Sequence, residues 1–402
     1  MFAKMCQGSG IGIKLKADAP FDVFDSHSNF NGLISGRSGA GKSFLINHLA
    51  VAYLQKGYDI VIFDSGYSHA KLGKILGRHI DLNLDKPISI NPFALVRNKF
   101  DLDEYLDSLK DFICGITNIS ADSKKYKFYA DGIGQAIIDL WHIHKDKLEL
   151  SHFIDKFNDN NFIDISNAIK AFNENYGDFF KSEPEIDFNN AYTVVEISNL
   201  NNAPILRDAI IFALYMHIFK KIHNKETKKT VCFMDEYQKY LNSDFIGGVI
   251  ERAYRGFRRH DASIIVSIQG FDDIFMNGRI NHQGRIILEN SAWKIFFNQT
   301  KESINALRSM GIIKVNPHVL EDFVLLNNSH KPYYSVALLS TPTDKGNSIV
   351  KIKPADEFMY YVFSSSASDN AEINKHFPKG MDMKNATAVD VTSAIYKAVN
   401  KQ

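Results

Sequence analysis

The chain has 402 residues, of which 45% are hydrophobic, and its formal net charge is +1. This length suggests two or three domains, or one domain with a large insertion, and the composition is that of an ordinary globular protein. A net charge near zero excludes a global attraction to nucleic acid or lipid, so any such attraction requires a local patch.

Neither a disulfide framework nor a membrane segment is expected. The three cysteines, Cys6, Cys114 and Cys232, are scattered and odd in number, which suits a reducing cytosol. Residues 1–16 lack the apolar core of a secretory signal, and the longest apolar run, near Ala209–Phe219, is too short to cross a bilayer. We therefore expect a cytoplasmic chain that reaches a membrane only through partners.

The amino-terminal part of the chain predicts a lead-in followed by the start of an α/β core. Residues 1–20 are rich in Gly and Lys and are expected to be flexible, and Phe21–Phe24 predicts a short edge strand. A strand over Asn31–Ser35 and a helix over Phe44–Leu54 follow, and Gly57 is a natural stop for this helix.

The stretch between this strand and helix, Gly36–Ser43, matches G-x-x-x-x-G-K-[ST] at every fixed position. Its glycines permit a tight turn whose backbone N–H groups point at phosphate oxygens, and the helix presents the positive end of its dipole to the same anion. Lys42 is predicted to reach the β- and γ-phosphates, and the Ser43 hydroxyl to bind Mg²⁺. A chance glycine-rich turn is disfavoured by the strand and helix on either side. The predicted nucleotide contacts are Gly36, Arg37, Ser38, Gly39, Ala40, Gly41, Lys42, Ser43 and Phe44.

The next element, Asp59–Asp64, is a continuous apolar run closed by an acid, which is typical of a strand buried in a parallel sheet. With the preceding strand and helix it completes a βαβ unit. Asp64 at the end of this strand could lie near the nucleotide, but an acid there more often caps the next turn, and we favour the cap.

A change of composition at Asn91 marks the start of a predicted helical insertion. Residues 98–190 are rich in Asp, Lys, Asn and aromatic residues, with apolar positions at helical spacing, and end in the polar turn Lys181–Asn190. His142 and His144 resemble a metal pair, but alternate positions on a helix lie about 200° apart, so this interpretation is disfavoured.

Apolar strands return after the insertion and predict the second part of the core. Strands are expected at Tyr192–Ile197, Thr230–Met234, Ser263–Ile268 and Ala292–Phe297, with a hairpin of Tyr333–Ser340 and Ser348–Lys353. Helices are expected at Ile205–Lys221, 244–259, 301–330 and 355–377, with a tail after Pro378. The fold class is α/β with a mostly parallel sheet. The predicted units are 1–20, 21–97, 98–190, 191–378 and 379–402.

Asp235 and Glu236 follow the apolar run Thr230–Met234 and form a Walker B element. Asp235 would emerge at the carboxyl end of a central strand and bind the Mg²⁺ held by Ser43. Glu236 is placed to polarise the attacking water, by proton abstraction or by orientation. Gln269 ends the strand Ser263–Ile268 and is predicted to contact the γ-phosphate or the water.

Four arginines lie on or just after the helix that follows this element, at 252, 255, 258 and 259. Arg258 and Arg259 are candidates for an arginine finger, a guanidinium inserted at the γ-phosphate of a neighbouring subunit. A basic patch facing nucleic acid and a solvated face paired with Asp244 or Glu251 remain open as alternatives.

The order of these motifs resembles the TraC/VirB-type conjugative-transfer ATPases of type IV secretion systems. The resemblance covers roughly residues 20–375 and rests on Asn29–Phe44, Ile62–Tyr67, Ser89–Phe93, Met234–Glu236, Gly256–Gln269, Ile295–Gln299 and a terminal hairpin near Ser340–Pro342. It implies a RecA-like motor domain of the HerA/FtsK type with a helical insertion, which assembles as a hexamer. It further implies ATP hydrolysis at the cytoplasmic base of an inner-membrane secretion channel, driving pilus biogenesis and substrate transfer.

The resemblance assigns catalytic positions residue by residue. The matching positions are Lys42, Ser43, Asp235, Glu236 and Gln269. Arg258 lies where related motors place their finger, with Arg259 as the second choice. One departure concerns the large amino-terminal domain of family members, which docks them at the membrane. Since the phosphate loop begins at residue 36, we expect a fragment, a split gene or a stand-alone motor.

Three functions are consistent with these motifs: an ATPase that energises a secretion machine, a HerA/FtsK-like DNA translocase or coupling ATPase, and a nucleotide-binding scaffold. Glu236 and Gln269 argue against the scaffold. The lack of an expected membrane helix argues against a membrane-anchored coupling protein. DNA stays open as a partner because a central channel can be basic while the whole chain is neutral.

Overall fold

A nine-stranded, mostly parallel sheet forms the centre of the molecule. The computed structural model describes residues 21–400 apart from 120–124, 159–160, 225–227, 242, 277–278, 301–302, 304, 306–308, 310–333 and 342–346. The strands are β1 (Gly32–Ser35), β2 (Asp59–Asp64), β3 (Arg78–Asp81), β4 (Tyr192–Glu196), β5 (Thr230–Met234), β6 (Ala262–Ile268), β7 (Trp293–Phe296), β8 (Ser335–Ser340) and β9 (Asn347–Ile352). Their order is β9-β8-β7-β1-β6-β5-β2-β4-β3. The seven strands from β7 to β3 are parallel, whereas β8 runs antiparallel to both β7 and β9.

The strands are apolar because both faces of the sheet are covered. All six residues of β2 are buried, and its side chains alternate between two hydrophobic clusters. Val61 and Phe63 belong to the cluster on one face, and Ile60 and Ile62 to the cluster on the other. Period-2 alternation of strand side chains therefore gives two cores, one on each side of the sheet.

The helices flank the sheet in two groups. They are α1 (Lys42–Gln55), α2 (Ala70–Leu76), α3 (Lys99–Ile116), α4 (Tyr126–His144), α5 (Ser151–Lys156), α6 (Ile163–Tyr176), α7 (Pro204–Asn224), α8 (Asp244–Gly256), α9 (His282–Asn290), α10 (Glu357–Phe363), α11 (Ala367–Asn374) and α12 (Ala388–Asn400). Helices α3 to α6 lie between β3 and β4 in sequence, and α3 packs against α4 and α7. Helix α1 and the carboxyl-terminal helices contribute to the cluster on the opposite face.

Most of the predicted strands and helices are confirmed, with shifts of one to three residues at their ends. The hairpin is also confirmed, because β8 and β9 pair antiparallel from Ser335↔Ile352 to Ser340↔Asn347. The lead-in 1–20 lies outside the described residues, as does nearly all of the helix predicted over 301–330.

Two expectations are wrong. Residues 21–24 do not form an edge strand: Val23–Asp25 is a single 3-10 turn, whose start is capped by the Asp22 carboxylate accepting from Phe24 N–H at 3.0 Å. The residues after Pro378 are not a simple tail, because they include α12, which packs against α2, α10 and α11. Strand β3 and helix α2 were not expected at all.

The order of the strands determines where a site can form. Because β1, β6, β5 and β2 are parallel neighbours, the loops that follow them meet at one edge of the sheet. The loop that starts at Gly36 follows β1, Gln269 follows β6, Asp235 follows β5, and a turn follows Asp64 at the end of β2. Among the described helices, none is both long and apolar enough to cross a membrane.

Candidate active site

The glycine-rich loop Gly36–Ser43 joins β1 to α1 and is tightly packed. Gly36 N–H donates to Ile268 O at 3.2 Å, which ties the start of the loop to β6. A Cβ atom on Gly36 would lie 2.5 Å from Phe297 Cβ, and Gly41 has φ 107°, a conformation that L side chains rarely adopt. These two glycines are therefore required by contact and by backbone conformation, independently of any ligand.

The middle of the loop, ahead of the amino end of α1, faces solvent. Arg37, Ser38 and Gly39 are exposed, and the buried Ala40 donates its N–H to Arg37 O at 3.1 Å. Phe44, the last predicted contact of the nucleotide, faces the carboxyl-terminal helices instead, with its ring centroid 5.5 Å from that of Phe363.

Lys42 is folded back across the loop. Its Nζ donates to Gly36 O at 2.8 Å and lies 3.6 Å from Glu236 Oε1, and its side chain is only 4% exposed. The ammonium group thus lies between the backbone of the loop and the Glu236 carboxylate.

Asp235 is buried and accepts hydrogen bonds on both of its oxygens. Ser43 Oγ donates to Oδ2 at 3.1 Å, whereas Ser267 Oγ and Glu236 N–H donate to Oδ1 at 2.5 and 3.0 Å. Burial alone would raise the pKa of Asp235, but hydrogen bonds from His69 and Ser267 and the charge of Lys42 hold it at about 2. The carboxylate is therefore ionised at neutral pH.

The predicted Mg²⁺ ligands fit such an ion. The two oxygens, Ser43 Oγ and Asp235 Oδ2, are 3.1 Å apart. Neighbouring oxygens in an octahedral shell with bonds of 2.0–2.1 Å lie about 3 Å apart. Both are hard oxygen donors, as Mg²⁺ prefers.

Glu236 adopts a left-handed backbone conformation, with φ 56° and ψ 39°. Its Oε2 accepts from Gln269 Nε2 and from Gln238 Nε2, each at 2.6 Å. The structure thus brings together five of the sequence-predicted residues: Lys42, Ser43, Asp235, Glu236 and Gln269.

Sequence reasoning missed four residues of this region: Asn47, His69, Gln238 and Ser267. His69 is fully buried, with Nε2 3.1 Å from Asp235 Oδ2 and Nδ1 2.6 Å from Asn47 Oδ1. Burial opposes protonation of His69, but Asp64 and Asp235 outweigh it and raise its pKa. The one indication in the sequence is its position: His69 comes five residues after the end of β2, and β2 is the neighbour of β5, the strand that precedes Asp235.

Asp64 caps the next turn, which was the favoured interpretation, and it also lies beside Asp235. Its Oδ2 accepts from His69 N–H at 2.7 Å, immediately before α2, so it caps that turn. One ligand atom from each of Asp64, His69 and Asp235 lies within 4.8 Å of the others, so it also borders the site. Burial raises the pKa of Asp64.

The arginines are not part of this cluster. Arg258 and Arg259 are exposed on the turn Phe257–His260 at the amino end of β6. Since β6 has seven residues and a strand rises about 3.3 Å per residue, this turn lies roughly 20 Å from the edge that carries Gln269. Arg258 donates to His27 O at 3.3 Å.

The other two arginines are paired with acids. Arg252 binds Asp111 of α3 at 2.5 Å, and Arg255 binds Glu251 at 2.7 Å. Pairing with Glu251 was one of the expected arrangements, whereas pairing with Asp111 was not expected.

Comparison with known proteins adds a family and a fold. A family model described as the TraG P-loop domain matches residues 8–171 and 145–394. The chain is similar to Protein TraC of Escherichia coli (strain K12), with 25% identity over 296 residues, which is 68% of this chain and 33% of TraC. It therefore spans about a third of the length of that curated relative.

Solved structures show the same architecture. VirB4 of Thermoanaerobacter pseudethanolicus has a TM-score of 0.66 at 18% identity, covering 86% of this chain and 96% of that chain. The plasmid coupling protein TrwB in complex with ADP and Mg²⁺ has a TM-score of 0.57 at 12% identity, covering 87% and 91%. At these identities the two structures show the fold of this chain.

Proposed function

The chain belongs to the TraG P-loop domain family, and on that premise we propose that it hydrolyses ATP with Mg²⁺ to power a type IV secretion or conjugation machine, in pilus biogenesis and substrate transfer. The observation that carries the proposal is the convergence of Lys42, Ser43, Asp235, Glu236 and Gln269 at the carboxyl edge of three neighbouring strands. The likeness to TraC supports the choice of machine.

One part of the site binds the phosphates and the other binds Mg²⁺. The loop N–H groups and the amino end of α1 bind the phosphates, and Lys42 exchanges its contact with Gly36 O for phosphate oxygens. Ser43 and Asp235 would hold the Mg²⁺, which would supply positive charge against the negative charge that develops on the phosphates.

Glu236 and Gln269 act on the attacking water. Glu236 orients this water or accepts its proton, and Gln269, hydrogen-bonded to Glu236, contacts the γ-phosphate or the same water.

Arg258 completes the site of a neighbouring subunit, with Arg259 as the second choice. Its exposure and its distance from its own phosphate loop support a contact with the phosphates of another copy of the chain rather than its own. An intersubunit finger requires a closed homo-oligomer, which we propose is a hexamer. We place this assembly in the cytoplasm, bound to inner-membrane components of the secretion system.

The test is the rate of ATP hydrolysis as a function of protein concentration, with and without DNA, beside Lys42→Ala. We expect a specific rate that rises steeply as subunits assemble, little effect of DNA, and no nucleotide binding by Lys42→Ala. A wild-type rate equal to that of Lys42→Ala contradicts the ATPase assignment. Strong stimulation by DNA favours a HerA/FtsK-like translocase or coupling ATPase instead.

A further inference from the structure

His69 lies between α1, the helix after the phosphate loop, and Asp235. It precedes α2, and its own N–H donates to Asp64 Oδ2 at 2.7 Å. Its two ring nitrogens face Asn47 of α1 and Asp235 after β5. A residue with no exposed surface and three polar contacts on three elements has little freedom to move.

The orientation of Asn47 fixes the direction of one of these contacts. Its Nδ2 donates to Phe363 O at 2.9 Å and to Ser68 O at 3.4 Å. Its Oδ1 must therefore be the atom that faces His69 Nδ1, and Nδ1 carries a proton that it donates to Asn47. The imidazole is held by this bond with Nε2 directed at Asp235, and because an ionised carboxylate can only accept, Nε2 donates to Oδ2.

The contact of His69 Nε2 is with Asp235 Oδ2, the oxygen predicted to bind Mg²⁺. His69 Nε2 and Ser43 Oγ both lie 3.1 Å from Asp235 Oδ2. Ser43 and Asn47 are four residues apart on α1 and therefore share one face of that helix. Asp235 is thus joined to α1 twice, directly through Ser43 and indirectly through His69 and Asn47.

We propose that His69 is a positioning residue for Mg²⁺: it joins the Asp235 carboxylate to Asn47 and so fixes the oxygen that binds the ion beside Ser43. The proposal rests on the proposed function, because it concerns the Mg²⁺ of the same nucleotide site. Partners of metal ligands orient those ligands, and their loss typically weakens metal binding by about 10–100-fold. A divalent cation held between Asp64, His69 and Asp235 is the competing arrangement.

Two amide variants separate the contacts of the two ring nitrogens. The amide nitrogen of Gln takes approximately the place of Nε2, so His69→Gln keeps the donor to Asp235 and loses the one to Asn47. The amide nitrogen of Asn takes approximately the place of Nδ1, so His69→Asn keeps the donor to Asn47 and loses the one to Asp235. Both variants remove the ring, so they are matched in the packing that they disturb.

The measurement is the Mg²⁺ concentration that half-saturates binding of fluorescent ADP, with thermal unfolding followed in parallel. We expect His69→Asn, which loses the contact with Asp235, to raise this concentration about 10–100-fold. His69→Gln keeps that contact and loses only the bond to Asn47, so it should raise the concentration by a smaller factor. Affinity for ADP in EDTA should be the same in all variants. His48→Gln is the control. His48, on α1, is buried as His69 is, but its ring has no hydrogen-bond partner in the described part of the chain.

Several outcomes overturn the proposal. An unchanged Mg²⁺ requirement in His69→Asn does so, and so does an equal rise in both variants, which would indicate packing alone. Tight binding of one Mn²⁺ per wild-type chain without nucleotide, lost in both variants, would indicate the cation site instead. If neither variant folds, Asn47→Ala decides, since it must raise the Mg²⁺ requirement if the link acts as described. Because ADP binding is measured, the outcome does not depend on whether the wild-type chain hydrolyses ATP.

Discussion

At the scale of single residues, Glu236 shows how the site is held before a ligand binds. Its left-handed conformation costs a non-glycine residue about 1–3 kcal/mol and persists only where the surroundings enforce it. Here Gln238 and Gln269 donate to one carboxylate oxygen, and Lys42 faces the other. Such strain is common where a side chain must be aimed at a reacting group.

Gln269→Ala tests this arrangement, because it removes one of the two amide donors to Glu236 without altering the phosphate loop. We expect kcat for ATP to fall by about 10²-fold, as for loss of a group that positions an acid or base, with nucleotide affinity unchanged. The control is Gln135→Ala, since Gln135 binds only Asp139 on the exposed surface of α4 among the contacts that the structure shows. Equal losses of affinity and kcat in Gln269→Ala would contradict the role.

The motifs identify the residues at fixed positions and no others. Lys42, Ser43 and Asp235 follow from patterns whose spacing is set by a strand, a turn and a helix. His69 and Gln238 could not be assigned, because their contacts depend on the path of a loop and on which strands become neighbours. No local pattern carries that information until the sheet order is known.

At the scale of elements, α12 illustrates a signal that was present in the sequence and not used. Val391, Ala394, Ile395 and Ala398 are buried at the i, i+3, i+4 and i+7 positions of one helix face. In contrast, β3 has the sequence Arg-His-Ile-Asp at the edge of the sheet, with one buried residue, and no apolar run could have predicted it.

Ile395→Ala tests whether α12 is an integral part of the core. Ile395 is 0% exposed, so truncation leaves a cavity, and we expect the free energy of unfolding to fall by about 2–5 kcal/mol. Val389→Ala on the same helix is the control, because Val389 is 77% exposed and its truncation should change stability by less than about 0.5 kcal/mol. Equal midpoints of urea unfolding for the two variants would show that α12 does not pack as described.

At the scale of the whole molecule, the sheet separates the phosphate loop from Arg258. The loop lies at the carboxyl ends of the parallel strands, whereas Arg258 precedes β6 at their amino ends. The α/β class was predicted from apolar strands that alternate with helices, and the resemblance to the conjugative ATPases from the order of motifs. Both predictions are confirmed. The arrangement of subunits could not be predicted, because it depends on contacts between the surfaces of separate chains.

Mixing two inactive variants tests the finger across subunits. Arg258→Ala should abolish turnover and spare nucleotide binding, since arginine fingers are worth about 10³–10⁵ in rate. Adding Lys42→Ala protein should restore part of the activity, because an intact Arg258 then meets an intact phosphate loop. Arg255→Ala, whose one ion pair in the described part of the chain is with Glu251, should turn over as wild type. Mixed assemblies without any recovered activity would exclude a finger in trans at this position.

The most direct test of ATP hydrolysis at this site is a single-turnover measurement with Glu236→Gln. The amide keeps the size of the carboxylate but cannot accept the proton of the attacking water. We predict that this variant binds ATP as the wild type does and retains it uncleaved, as followed by acid quench of radiolabelled nucleotide. Cleavage at the wild-type rate in Glu236→Gln would contradict the account.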